Sequence, residues 1–115
     1  MNNMTNSVQL IGNLGRDVDF KTIGESNALA KVSIATTERR RDKDGNWTSE
    51  TQWHNLIGWG KTAELMNKLL KKGSRVAVQG KLTHGSFEGK DGSKRYFTDV
   101  VVRDFMMMDA KKETA

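Results

Sequence analysis

The chain has 115 residues, contains no cysteine and no proline, and carries a net charge of +5. That length gives one domain with room for a modest core, while the composition excludes disulfides, thiolate metal sites and a Pro-rich linker. No apolar run approaches the roughly 18 residues of a membrane span, and the polar start has no signal-peptide core. A cytoplasmic protein is expected, its charge favouring an acidic partner.

In chain order, Ser7–Leu14 is apolar and β-branched enough for a strand. Gly12 and Gly15 bracket a kink of the kind a barrel corner needs, and Asp17–Ile23 continues beyond it to a turn at 24–27. Ala28–Arg39 alternates: Ala30, Val32 and Ile34 fall on one face, Lys31, Ser33 and Thr37 on the other. This predicts a long, half-buried strand. Asp44-Gly45 then predicts a two-residue type I′ hairpin, pairing Lys43 with Asn46 and Asp42 with Trp47. In that register Arg40 lies diagonal to Trp47, within cation–π reach.

The returning strand, 46–60, holds all three tryptophans: Trp47, Trp53 and Trp59. Their even spacing puts them on one face, about 20 Å apart. Two readings stand open, a line of platforms for flat partners or separate plugs in a small core. Lys61–Lys72 predicts the helix, with Ala63, Met66, Leu69 and Leu70 on its apolar face and Gly73 as its stop. Arg75–Leu82 predicts a fourth strand with Val76 and Val78 inward, Thr83–Lys94 a mobile Gly-rich hairpin loop, and Arg95–Met108 a fifth strand. Three strands, a helix and two strands is the order of an OB-fold, a five-stranded Greek-key barrel with its helix between the third and fourth strands. It would occupy residues 1–108, leaving 109–115 as a short disordered end.

Catalytic and cofactor readings fail on their own spacing. Gly60-Lys61-Thr62 lacks the earlier glycine of a phosphate loop, since Asn55 stands there, and a tight strand-to-helix turn suffices. Gly58, Gly60 and Ala63 echo a dinucleotide fingerprint, but 79–83 offers no acid for a ribose. His54 has no second ligand at the spacing a strand would require, so no metal and no cofactor is expected. Asp42 and Asp44 belong to a turn, which does not provide the shielding that catalytic carboxylates need. No enzyme is expected.

Residues 61–95 carry nine Lys or Arg against three acids. A basic half beside an aromatic strand matches binders of single-stranded nucleic acid, where bases stack on aromatic rings and cations meet phosphates. Trp53, Trp59, Phe87 in the Gly-rich loop and Tyr96 at the start of the last strand are the stacking candidates. Lys61, Lys71 and Lys72, which bracket the helix, are candidates for phosphates, as is Arg40.

VQLIGNLGRD, ALAKVSIATTE, TQWHNLIGWGKTAE, LLKKGSRVAVQGKL and RYFTDVVV, in that order, resemble the conserved blocks of the bacterial single-stranded DNA-binding protein family. The resemblance covers about residues 5–108. It implies an OB-fold, a homotetramer, cooperative wrapping of single-stranded DNA in replication, recombination and repair, and a nucleoid-associated location. By position, it implies stacking at Trp53, Trp59 and Phe87, phosphate contacts at Lys43, Lys61 and Lys72, and a subunit contact at His54. Three departures stand out. Arg40 replaces a tryptophan common in the family, so Trp47 and Arg40 together are expected to supply that platform. The loop before Phe87 reads THGS where relatives are often basic, so fewer phosphate contacts are expected there. No acidic, Phe-ended tip follows, so recruitment of repair enzymes through such a tip is not expected. A primosome-type OB protein that helps load a helicase, and an oligomeric scaffold without nucleic acid, are the competing readings. Retention of Trp53, Trp59 and Phe87 argues against the first, and fluorescence unquenched by oligo-dT would mark the second.

Overall fold

A computed structural model describes residues 4–25 and 27–108. The end expected to be disordered, 109–115, and Ser26 of the 24–27 turn lie outside the described residues. The chain order is β1 (Val8–Leu14), β2 (Asp19–Ile23), β3 (Asn27–Arg41), β4 (Trp47–Trp59), α1 (Gly60–Leu69), β5 (Arg75–Glu88) and β6 (Lys94–Met107). β1 and β2 are the two halves of one bent strand. β2 pairs with the first part of β3, while β1 pairs with β5 along its length and with β3 at Asn13↔Ala35 and Leu14↔Ile34. That double pairing closes a five-stranded barrel in the order β1-β5-β6-β4-β3. All pairings are antiparallel except β4 with β6, which meet at Asn55↔Asp99, Leu56↔Val100 and Ile57↔Val101. The OB-fold and the helix position are as expected.

Closure depends on glycines where strands cross closely. A Cβ at Gly12 would overlap the Ala35 carbonyl oxygen, and one at Gly80 the Val101 carbonyl oxygen. The register also slips between Gln79 and Gly80, whose partners are Asp104 and Val102, leaving Arg103 as the extra residue of a bulge. Inside the barrel, Ala28, Ala30, Val32 and Ile34 of β3 meet Leu56, Val76, Val78, Val100 and Val102. α1 plugs one end with Ala63 and Met66, followed by Leu70, and Met66 lies where a side chain at Gly58 would otherwise stand.

Several expectations need correction. Leu69, placed on the helix's apolar face, is exposed, and the helix stops at Leu69 rather than Lys72 because Leu70 already takes an extended conformation. Gly73 is not the helix stop; at φ +88° it sits in the turn closed by Ser74 N–H to Lys71 O. The expected loop Thr83–Lys94 is mostly strand: β5 runs on to Glu88, and the turn itself is only 89–93. Gly85 does not break this strand because the Phe97 ring from β6 covers it, an aromatic–glycine pairing that fills the space an absent side chain leaves.

The hairpin at Asp44-Gly45 is real but longer than a two-residue loop, and this shifts the register. Arg41, not Asp42, pairs with Trp47, and Arg40 pairs with Thr48. A type I′ turn needs positive φ at both central positions, and Gly45 alone has it here, at +82°. Gly45 N–H donates to Asp42 O, and the Asp42 carboxylate accepts from the Asp44 and Asn46 amides. The turn at 89–93 repeats the arrangement, with Gly92 at +84° and Gly92 N–H donating to Gly89 O. Asp91 there accepts from the Ser93 hydroxyl and amide, and these bonds hold its carboxyl below its ordinary pKa. Both hairpins project as arms. The Cα radius of gyration, 16.6 Å, accordingly exceeds the roughly 13 Å of a compact chain this long.

Candidate nucleic-acid interface

β3 and β4 pair without a slip from Leu29↔Trp59 to Arg41↔Trp47, so the parity of a residue number decides its face. Even positions of β4 (Leu56, Gly58) point into the barrel, and odd positions point out. Trp47, Trp53 and Trp59 all lie on the outer face, 58%, 61% and 49% exposed. That excludes the core-plug reading, because all three are about half exposed or more and none is a member of the buried cluster. Trp53 stands opposite Ala35, and its ring occupies the space above Gly15. Small residues under and beside the indole hold it without covering it. Between Trp53 and Trp59, Asn55 and Ile57 line a groove of about 150 Å³ with Arg16, Lys31 and Asp99.

The second arm adds aromatics to the same face. Asp99 and Val101 pair with Asn55 and Ile57 of β4, so odd positions of β6 share the outer face up to the bulge. Phe97 is on it, opposite Gly85, and Phe87 is on it, opposite Arg95. The two rings lie 6.4 Å apart between centroids, a normal spacing for an aromatic pair. Phe97 is a candidate that the sequence reading missed. Counting by twos back from Val101 reaches it, but only once the pairing of Asp99 and Val101 with β4 shows that this face looks outward.

Tyr96 is exposed but on the reverse face, opposite Ser86 and next to the His84–Thr98 hydrogen bond of 2.9 Å. Arg40 is likewise on the reverse face of its arm, so the expected diagonal contact with Trp47 does not exist. Arg39 and Arg41 take that position instead, their guanidinium carbons 5.2 and 5.1 Å from the Trp47 ring centroid. His54 is half-buried on the reverse face, with Nε2 3.0 Å from the Thr36 hydroxyl.

The expected lysines are exposed. Lys43 is in the β3–β4 turn, and Lys61 follows Trp59 by two residues in the first turn of α1. Lys71 and Lys72 follow the helix, where the Lys72 amide donates to Asp17 in the segment just after Gly15. Gly60, at φ +60°, makes the strand-to-helix turn, so packing and turning account for the glycines of the IGWGK segment. Among the described residues, no helix is long and apolar enough to cross a membrane.

A barrel of this topology with exposed aromatics on one face has a known counterpart. The family model described as "Single-strand binding protein family" matches residues 5–108. The chain belongs to that family. Among curated relatives, the single-stranded DNA-binding protein of Xanthomonas axonopodis pv. citri is 41% identical over 108 residues, covering 94% of this chain and 60% of that one. Single-stranded DNA-binding protein 1 of Xylella fastidiosa is 38% identical over 109 residues, covering 94% of this chain and 80% of its own length. The chain thus spans about three-fifths of the first relatives it matches. Among solved structures, the Plasmodium falciparum SSB in complex with ssDNA superposes with a TM-score of 0.83 at 30% identity, over 95% of this chain and 100% of that one. A deletion mutant of the single-stranded DNA binding protein from Thermus aquaticus gives 0.79 at 26% identity, over 92% and 51%.

Proposed function

We propose that this chain binds single-stranded DNA without sequence preference and protects it during replication, recombination and repair. The observation that carries this is the row of exposed aromatics on one outer face, Trp53 and Trp59 on β4 with Phe87 on β5. A single strand offers free base faces to stack there, whereas a duplex hides them in its own stack. Phe97 enlarges the Phe87 platform. Lys43, Lys61, Lys71 and Lys72 supply phosphate contacts around the face, and Tyr96, on the reverse side of its arm, acts at the rim. Binding involves no catalysis and no cofactor. The protein works as a homo-oligomer, a tetramer, with His54 on the reverse face of β4 at a subunit contact. Its place is the cytoplasm, on the nucleoid.

The test is a tryptophan-fluorescence titration with oligo-dT of increasing length against a duplex of equal length. Oligo-dT should quench emission and the duplex should not; equal binding of the duplex defeats the reading. Affinity should also fall with salt, with a log–log slope of about −0.7 for each phosphate neutralised. The mass of the assembly in solution separates the tetramer from a dimer.

A further inference from the structure

We propose that Trp47, Arg39 and Arg41 form an additional nucleotide subsite near the end of the β3–β4 arm. A base stacks on the indole, and the two guanidiniums hold the flanking phosphates. The inference rests on the single-strand reading and extends its footprint along the arm.

Four observations carry it. Trp47 is 58% exposed at the end of an arm with no core beneath it, so packing the barrel does not account for it. Both guanidinium carbons lie about one ring-width from its centroid, at 5.2 and 5.1 Å. A guanidinium lying against an indole keeps its edge N–H donors free for the two oxygens of a phosphate. The register puts this cluster on the same face as Trp53, about 20 Å farther along the strand, so one extended strand can cover both.

The fourth observation is how the arm sorts its charges. On the tryptophan face, from Thr37 to Arg41 and from Trp47 to Trp53, the charged residues are Arg39 and Arg41. The reverse face carries Glu38 directly opposite Glu50, along with Arg40 opposite Thr48. Like charges paired across strands cost stability. Keeping both glutamates on one side leaves the other free of acids and attractive to phosphate. In the adjoining turn, the Asp42 carboxylate is already taken by two backbone amides.

The experiment uses Trp53→Phe/Trp59→Phe, which leaves Trp47 as the sole indole and keeps rings at both other positions. Binding of a labelled oligo-dT of about 20 nucleotides is followed independently by anisotropy. Trp47 emission should be quenched in step with binding. In the otherwise native chain, Trp47→Ala should weaken affinity for that oligonucleotide about tenfold, and Trp47→Phe should restore most of it. Arg39→Gln with Arg41→Gln should lower the salt slope by about 1.4, and Arg40→Gln by less. If anisotropy rises while Trp47 emission stays constant, the subsite is overturned and the single-strand reading survives. If the native chain binds no oligonucleotide at all, both fall together.

Discussion

Trp53→Ala should lower affinity for oligo-dT by about 5- to 150-fold, the loss of one stacked base at about 1–3 kcal/mol. Trp53 carries the largest expected effect because its mounting is dedicated to exposure. It is 61% exposed, opposite Ala35, with Gly15 beneath the ring. Truncating it removes little buried apolar area, so the thermal midpoint should move by only a few degrees while binding collapses. The loss should persist at high salt, because stacking releases no counterions, whereas lysine substitutions should matter mostly at low salt. Gly15→Val offers an independent check. A branched side chain there collides with the indole and displaces it, so it should reproduce part of the binding loss with Trp53 intact. If Trp53→Ala binds oligo-dT as the native chain does, this face is not where the bases stack.

Gly80→Ala, like Gly12→Ala, should be among the most damaging single methyl groups in the described residues. Its Cβ would overlap the Val101 carbonyl oxygen, and Val101 lies in the strand paired with it. Neither atom belongs to a flexible side-chain end. Relief requires β5 and β6 to separate at the bulge where Val78, Val100 and Val102 pack the core. A cost of about 3 kcal/mol or more fits a backbone clash inside a sheet, which lowers the thermal midpoint by roughly 10 °C or more in a domain of this size. Far-UV circular dichroism against temperature measures it. Oligo-dT binding should survive well below the lowered midpoint and vanish above it. Native-like melting of Gly80→Ala would mean that the strands approach less closely than described.

Much of the barrel was legible because strand alternation is a local property. Ala30, Val32 and Ile34 on one side of β3, and Val76 and Val78 on one side of β5, follow from residues two apart and need no partner. That Trp47, Trp53 and Trp59 share one face was legible in the same way. The reach of β5 was not. THGSFEG reads as loop by its glycines, yet Gly85 lies under Phe97 and the segment pairs residue by residue with β6. Hiding that pairing also hid the place of Phe97 beside Phe87, and left Tyr96 with Phe87 in the list of stacking candidates although the two face opposite ways. The helix end was misplaced because Lys71-Lys72-Gly73 resembles a basic last turn with its glycine stop. Here the chain instead turns early so that Gly73 N–H can bond Leu14 O.

The sequence by itself determined which residues of a strand share a face, that the first strand bends near Gly12 and Gly15, and that three indoles lie in line on one strand. Only the tertiary structure decided whether that face looks into the barrel or out of it, and what stands across from each residue. The face was settled by Leu56 and Gly58 turning inward against α1. The cross-strand partners were settled by the hairpin, where a type I turn with Gly45 at positive φ lengthens the loop. Because side chains alternate with period two, a one-residue change of register moves every partner to the other side. It took Arg40 away from Trp47 and put Arg39 and Arg41 in its place.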